Sequence, residues 1–165
     1  MNNKIRTVID IGGLFINIVT NDENGRLVDA LSNDQCAAGS GKFLEMTSEA
    51  TEIPLSAISS NFLTSRKPYT IKSSCAIFAE SEMISRINEG HDGNDIMASV
   101  VYSIASRAVT LLEKINAPDD VTLIGGVSKI GGLELILQEL SSRKISALPA
   151  DPQIISALGA ALLAQ

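Results

Sequence analysis

Cys36 and Cys75 are the only two cysteines in the chain, and their surroundings repeat. Asn33-Asp34-Gln35-Cys36-Ala37-Ala38-Gly39-Ser40-Gly41 leads into Lys42-Phe43-Leu44-Glu45. Downstream, Ser73-Ser74-Cys75-Ala76-Ile77-Phe78-Ala79-Glu80-Ser81-Glu82 again places a cysteine and alanine ahead of a helical run. Each thiol is expected at a helix N-terminus, where the positive end of the dipole and free backbone N–H groups favour a thiolate. Two such thiolates suit a metal centre. They fall short of the four that hold a usual iron–sulfur cluster, unless two chains meet and each supplies two. The open alternatives are a disulfide or two buried thiols, since free cysteine is among the most buried residue types.

Two glycine pairs form a second candidate site. Val8-Ile9-Asp10-Ile11-Gly12-Gly13 ends an apolar strand. Gly12 and Gly13 allow close backbone approach to a phosphate, and Asp10 at the strand end can hold Mg²⁺ through water. The plain alternative is a hairpin turn with a solvated Asp10. Leu123-Ile124-Gly125-Gly126-Val127-Ser128-Lys129 offers Gly125, Gly126 and Val127 to a flat ring and ribose, or makes an ordinary strand-to-helix turn. Gly39-Ser40-Gly41-Lys42 is not a P-loop, because that pattern needs Gly at position 36 and Ser or Thr at 43, occupied here by Cys36 and Phe43. His91 is the single histidine and is expected in a solvated loop. Glu80 and Glu82 favour the start of their helix and are given no catalytic role.

Positioning these residues requires a scaffold, and composition bounds it. A chain of 165 residues with 45% hydrophobic content suits one packed domain. Net charge is −6, against a general nucleic-acid binder. The N-terminus carries no signal-peptide pattern, and no apolar run reaches the ~18 residues of a membrane span. A cytoplasmic protein without membrane contact is the expectation, and there thiols stay reduced or bind metal more often than they pair.

Thr7–Ile11, Leu14–Thr20 and Arg26–Leu31 read as three antiparallel strands, the last two joined through an Asn24-Gly25 turn. Helical segments are expected after Cys36, from Pro54 to Leu63, and over Ala76–Asn88. The longest helix, about Asp95–Ile115, carries apolar residues three or four apart from Met97 to Ile115. Val121–Ile124 and Ile145–Leu148 are short strands, with helices at Leu133–Leu140 and Ile154–Leu163. In that last helix Gly159 and its alanines are expected to pack closely against a neighbour. This order is the plan of one ribonuclease-H-like unit, the α/β half from which actin, Hsp70 and sugar-kinase ATPases are built. Residues 1–165 are thus read as a single half-domain with a mixed five-stranded sheet, flanking helices and a helical insertion at about 36–90. Two such halves normally clamp a nucleotide, and one is counted here.

Both cysteine motifs together resemble the activator ATPases of 2-hydroxyacyl-CoA dehydratases and benzoyl-CoA reductases. The resemblance runs from Val8 to Ala164 and covers about the second half of a typical family member. It implies a homodimer holding one [4Fe-4S] cluster through Cys36 and Cys75 of each chain. It further implies ATP or ADP with Mg²⁺ at Asp10, Gly12, Gly13, Gly125, Gly126 and Val127. The implied activity is low-potential electron delivery to a partner metalloenzyme, with nucleotide state changing the angle between the cysteine-bearing helices. Leu14 and Phe15 depart from the family's Gln and Asp after the glycine pair, which removes two polar groups expected near Mg²⁺. A separate first-half ATPase domain would be needed to complete the cleft. Two other functions compete. One is a cluster-bearing scaffold or electron-transfer subunit that does not hydrolyse ATP. The other is a ribonuclease-H-like nuclease using Asp10, disfavoured by the lack of further strand-end carboxylates.

Overall fold

The computed structural model describes residues 5–33, 40–58, 65, 68–73 and 75–164. Five strands form one sheet in the order β3-β2-β1-β4-β5. They are β1 (Thr7–Ile11), β2 (Ile16–Asn21), β3 (Leu27–Ser32), β4 (Val121–Ile124) and β5 (Ile145–Ser146). The first three run antiparallel, whereas β4 lies parallel to β1 and β5 parallel to β4. This is the mixed ribonuclease-H-like sheet expected from the order of elements.

Alternation explains the meander. Ile9, Ile11, Ile16 and Ile18 are fully buried, while the residues between them are half-exposed on the other face. The β2–β3 turn closes on Asp22, whose carboxylate accepts from the N–H groups of Asn24 and Arg26, with Gly25 at φ 78°. All four β4 residues are buried, as a central strand with parallel neighbours should be. The second strand starts two residues later than expected. Gly12 N–H donates to the Phe15 carbonyl at 2.9 Å, so residues 12–15 form the turn.

The helices are α1 (Gly41–Thr51), α2 (Ala76–Asn88), α3 (Gly93–Lys114), α4 (Leu133–Ser141) and α5 (Ile155–Leu163). Asp92 caps α3, its carboxylate accepting from Asn94 N–H at 2.8 Å, so the helix begins two residues earlier than the spacing suggested. Met97, Val100, Val101, Ile104, Ala108, Leu111 and Leu112 are buried along it, joined by Ile96, Ala98, Ala105 and Val109. By length and composition α3 is apolar enough to cross a membrane, yet 67% of its apolar window is buried inside the fold. Those residues form the core, with α1 and α4 packed against them.

The segment expected as a helix from Pro54 to Leu63 opens with a 3-10 turn over Leu55–Ala57 and is helical at Ile58, and residues 59–64 lie outside those described. In α5 a side chain at Gly159 would meet nothing within 4 Å among the described residues, so the close packing expected of Gly159 and its alanines is not made there.

Candidate functional site

β1 and β4 bring the two glycine pairs together. Because the strands are parallel and adjacent, Asp10 stands opposite Ile124, and both turns leave the same end of the sheet. A cleft of about 480 Å³ lies there, lined by Gly12, Gly13, Gly126 and Val127 among others. Its size falls within the usual range for small-molecule sites, about 300–1,000 Å³. Gly125 sits at φ 90°, and a Cβ on it would lie 2.5 Å from Asp10 Oδ1 and no farther from the Ile11 carbonyl oxygen. A residue without a side chain is therefore what lets the two strand ends meet. Its N–H donates to the Pro152 carbonyl at 2.9 Å, joining the segment before α5 to the same point.

An alanine at position 125 must displace a strand end and adopt a conformation natural to glycine. Each effect costs about 1–3 kcal/mol. We expect Gly125→Ala to lower the unfolding free energy by about 3 kcal/mol or more, measured by urea denaturation.

Asp10 is half-buried, and desolvation raises its carboxyl above the ordinary value, opposed by hydrogen bonds from Ser156 and then Asn17. Asn17 is its cross-strand partner in β2, and the Ser32 hydroxyl donates to the Asn17 amide oxygen. The folded chain thus keeps the Asp10 proton to higher pH than the unfolded chain does. Folding loses stability as pH rises from 3.8 through the raised value, and Asp10→Asn removes that loss. The variant should be at least as stable as the parent at neutral pH, with a flatter pH dependence in urea unfolding. A variant clearly less stable at neutral pH would show that the carboxylate contributes net stability.

The cleft is tied directly to α1. Gly41 N–H donates to the Gly12 carbonyl at 2.9 Å and Lys42 N–H to the Gly13 carbonyl at 2.8 Å. These satisfy two of the four N–H groups that a helix start leaves free. A Cβ at Gly41 would lie 3.1 Å from a Val127 methyl and 3.2 Å from the Gly12 oxygen, so Gly41 closes the contact among three segments. Lys129, at the cleft edge, donates to Asp151 and Gln153, each at 2.9 Å. The Gln153 N–H, and then the Lys129 side chain, hold the Asp151 carboxyl below its ordinary value.

Cys75 is a free, partly exposed thiol at the N-cap of α2 and makes no capping hydrogen bond with its side chain. The chain leading to it is held at several points. Tyr69 N–H donates to Ser99 Oγ at 2.8 Å, Lys72 N–H to the Glu82 carboxylate at 3.2 Å, and Arg107 to the Ser73 carbonyl at 3.4 Å. Ile77 and Phe78, just past the cysteine, are 69% and 68% exposed. Cys36 lies outside the described residues, within 34–39, immediately ahead of Ser40 and α1. α1 and α2 pack on each other, with Thr47 Oγ1 3.3 Å from Met83 Sδ. Among the described residues no three His, Cys, Asp or Glu side chains converge, so the carboxylate set a nuclease needs is not assembled there. His91 is exposed, beside Glu89 and Arg86.

Gly41, Asn17, Lys129, Gln153 and Ser156 belong to this region without having been assigned a role from sequence. Each is held there by a partner distant in the chain. Lys129 follows the Gly125-Gly126 pair in sequence, which was the available signal for it.

The comparisons agree with this geometry. The BadF/BadG/BcrA/BcrD ATPase family matches residues 1–164. The 2-hydroxyisocaproyl-CoA dehydratase activator of Clostridioides difficile is 39% identical over 98% of the chain, which covers 60% of that relative. The (R)-2-hydroxyglutaryl-CoA dehydratase activating ATPase of Acidaminococcus fermentans is 38% identical over 98% of the chain and 61% of its own length. The solved Clostridium difficile activator of the 2-hydroxyisocaproyl-CoA dehydratase, with bound ADPNP, superimposes with a TM-score of 0.90 at 38% identity. That alignment spans 98% of this chain and 60% of the other. The chain thus spans about three-fifths of the length of these relatives, and it belongs to the BadF/BadG/BcrA/BcrD ATPase family.

Proposed function

We propose that this chain is the cluster-bearing part of an ATP-dependent activator that delivers low-potential electrons to a dehydratase- or reductase-type metalloenzyme. The observation that carries the reading is the pair of backbone hydrogen bonds from the start of α1 to Gly12 and Gly13. One end of that contact lines the cleft, and the other is the helix that follows the Cys36 segment. A phosphate that shifts the Gly12-Gly13 turn must therefore shift or strain the start of α1. α1 packs on α2, which starts at Cys75, so the same displacement reaches both cysteine-bearing helices.

Cys75 and its surroundings suit the cofactor this implies. Cys75 keeps its thiol uncommitted to its own helix, and the exposed Ile77 and Phe78 beside it suit cover by a second subunit. Cys36 and Cys75 of two chains would hold one [4Fe-4S] cluster, which when bound supplies one-electron transfer. Asp10, Gly12 and Gly13 would face the phosphates and Mg²⁺, and Gly125, Gly126 and Val127 the nucleoside. The cluster-bearing insertion would then comprise about residues 36–90, α1 and α2 included.

Anaerobic reconstitution with iron and sulfide tests this, read by iron analysis and sedimentation. The expected product is a coloured dimer with about four irons. A colourless monomer after reconstitution would exclude the shared site. A cluster-bearing scaffold without ATP hydrolysis is the second reading, favoured by Leu14 and Phe15 in the phosphate turn. Leu14 is 53% exposed, so it packs no core that would explain the change.

A further inference from the structure

The arm that delivers Cys75, residues 68–73, is neither helix nor strand, so its backbone groups need partners from elsewhere. Tyr69 and Ile71 pack against the core, and Tyr69 N–H donates to Ser99 Oγ on α3. The Arg86 guanidinium of α2 lies over the Tyr69 ring, 5.2 Å from its centre. Beside these anchors the arm stands off α3. A groove of about 550 Å³ lies there, lined by Pro68, Thr70 and Ile71 from the arm and by Tyr102, Ser106 and Arg107 from α3. Close packing therefore does not carry the arm as far as Cys75.

Two side chains make the last step. Glu82 follows Cys75 by seven residues, so the two lie on one face of α2, about two turns apart. Its carboxylate accepts from Lys72 N–H, at 3.2 Å through one oxygen and 3.5 Å through the other. The arm thus runs back along the first two turns of α2 before entering it. Arg107 of α3 donates to the Ser73 carbonyl at 3.4 Å. The residues three and two places ahead of the thiol are therefore held from different helices. Cys75 makes no side-chain capping bond. Its helix fixes its carbonyl, through Ala79 N–H at 2.9 Å, but leaves the direction in which the chain enters it to the arm.

The geometry points to Glu82 and Arg107 as positioning residues for Cys75, holding the arm so that the thiol is presented to the proposed shared cluster in one orientation. Glu82 acts here as a hydrogen-bond acceptor for Lys72. That is a task its place near a helix start does not reveal, since a carboxylate there is expected to serve the dipole. The inference rests on the activator reading, because it takes Cys75 to be a cluster ligand.

Two measurements on the full chain test it. In iron-free protein, alkylation of Cys75 by iodoacetamide is followed by peptide mass spectrometry, which separates it from Cys36. Loss of one hydrogen bond shifts a local opening equilibrium about threefold to tenfold, so Glu82→Ala and Arg107→Ala should each react faster by that factor. Glu82→Gln keeps an acceptor oxygen for Lys72 and should stay within about twofold of the parent. In reconstituted protein, the electron paramagnetic resonance spectrum of the reduced cluster should broaden in both alanine variants and return to the parent form in Glu82→Gln. Circular dichroism and the urea midpoint check that all variants stay folded. Equal alkylation rates in the parent and both alanine variants overturn the inference, as does faster alkylation with an unchanged spectrum. It is also overturned if Glu82→Gln matches Glu82→Ala, because the carboxylate would then act through its charge. Iron content is read in the same samples. A parent that takes up no iron, with the expected order of alkylation rates, counts against the activator reading, whereas bound iron with identical spectra throughout counts against positioning alone.

Discussion

Serine in place of Cys75 is expected to strip the reconstituted protein of its iron while leaving the fold intact. In the proposed site each chain would contribute two thiolates, so one substitution would remove two of the four ligands of a shared cluster. A serine hydroxyl stays protonated at neutral pH and is a poor substitute for a thiolate. The local structure makes this a clean experiment. Cys75 is the N-cap of α2 but makes no side-chain capping bond, and serine is among the best N-cap residues. α2 should therefore hold or gain a few tenths of a kcal/mol. Iron should fall from about four per dimer to a trace, with unchanged far-ultraviolet circular dichroism and urea midpoint. Cys36→Ser should lose iron to the same extent. The dimer should weaken in both variants, because the exposed Ile77 and Phe78 are a small patch to hold two chains without the cluster. If Cys75→Ser keeps its full iron content, the cluster is held elsewhere and the two-cysteine assignment fails.

The features legible in the sequence are those set by local periodicity. The short apolar run Thr7–Ile11 and the Asn24-Gly25 turn predict the meander, because each strand buries one face. The spacing from Met97 to Leu112 predicts α3, because a core helix must present one face continuously. The site is less legible, because its parts meet only through sheet order. Asn17 reaches Asp10 by the β1–β2 register, and Ser156 does so after a return of more than 140 residues. Gly41 reads as part of a cysteine motif, and only the fold shows it bonded to the Gly12 turn. The misreading of Gly159 has the same origin. Small residues on a helix show that something approaches closely, but not whether the partner lies in the same stretch of chain.

The 165-residue chain alone should release phosphate from Mg-ATP at least about a thousandfold more slowly than a family member carrying the remaining two-fifths. Phosphoryl transfer depends on positioning and on charge held around the phosphates, and losing a single such contact costs about a hundredfold to a thousandfold. Here more than one is missing. Among the described residues the cleft is lined by Gly12, Gly13, Gly126, Val127 and their neighbours, and the chain spans about three-fifths of its relatives' length. Leu14 and Phe15 stand where the family pattern has an amide and a carboxylate. Binding should suffer less than turnover, since Gly12, Gly13 and Gly126 still line the cleft and Asp10 remains at the strand end. Weak binding by calorimetry, with negligible phosphate release from the purified protein, is the expected pair of results. Leu14→Gln with Phe15→Asp should not restore turnover by itself, because the wall facing those groups is still absent. Turnover should return only when the second half-domain is supplied together with that pair. Tight binding and steady turnover by the lone chain would mean that two copies build a complete cleft between them.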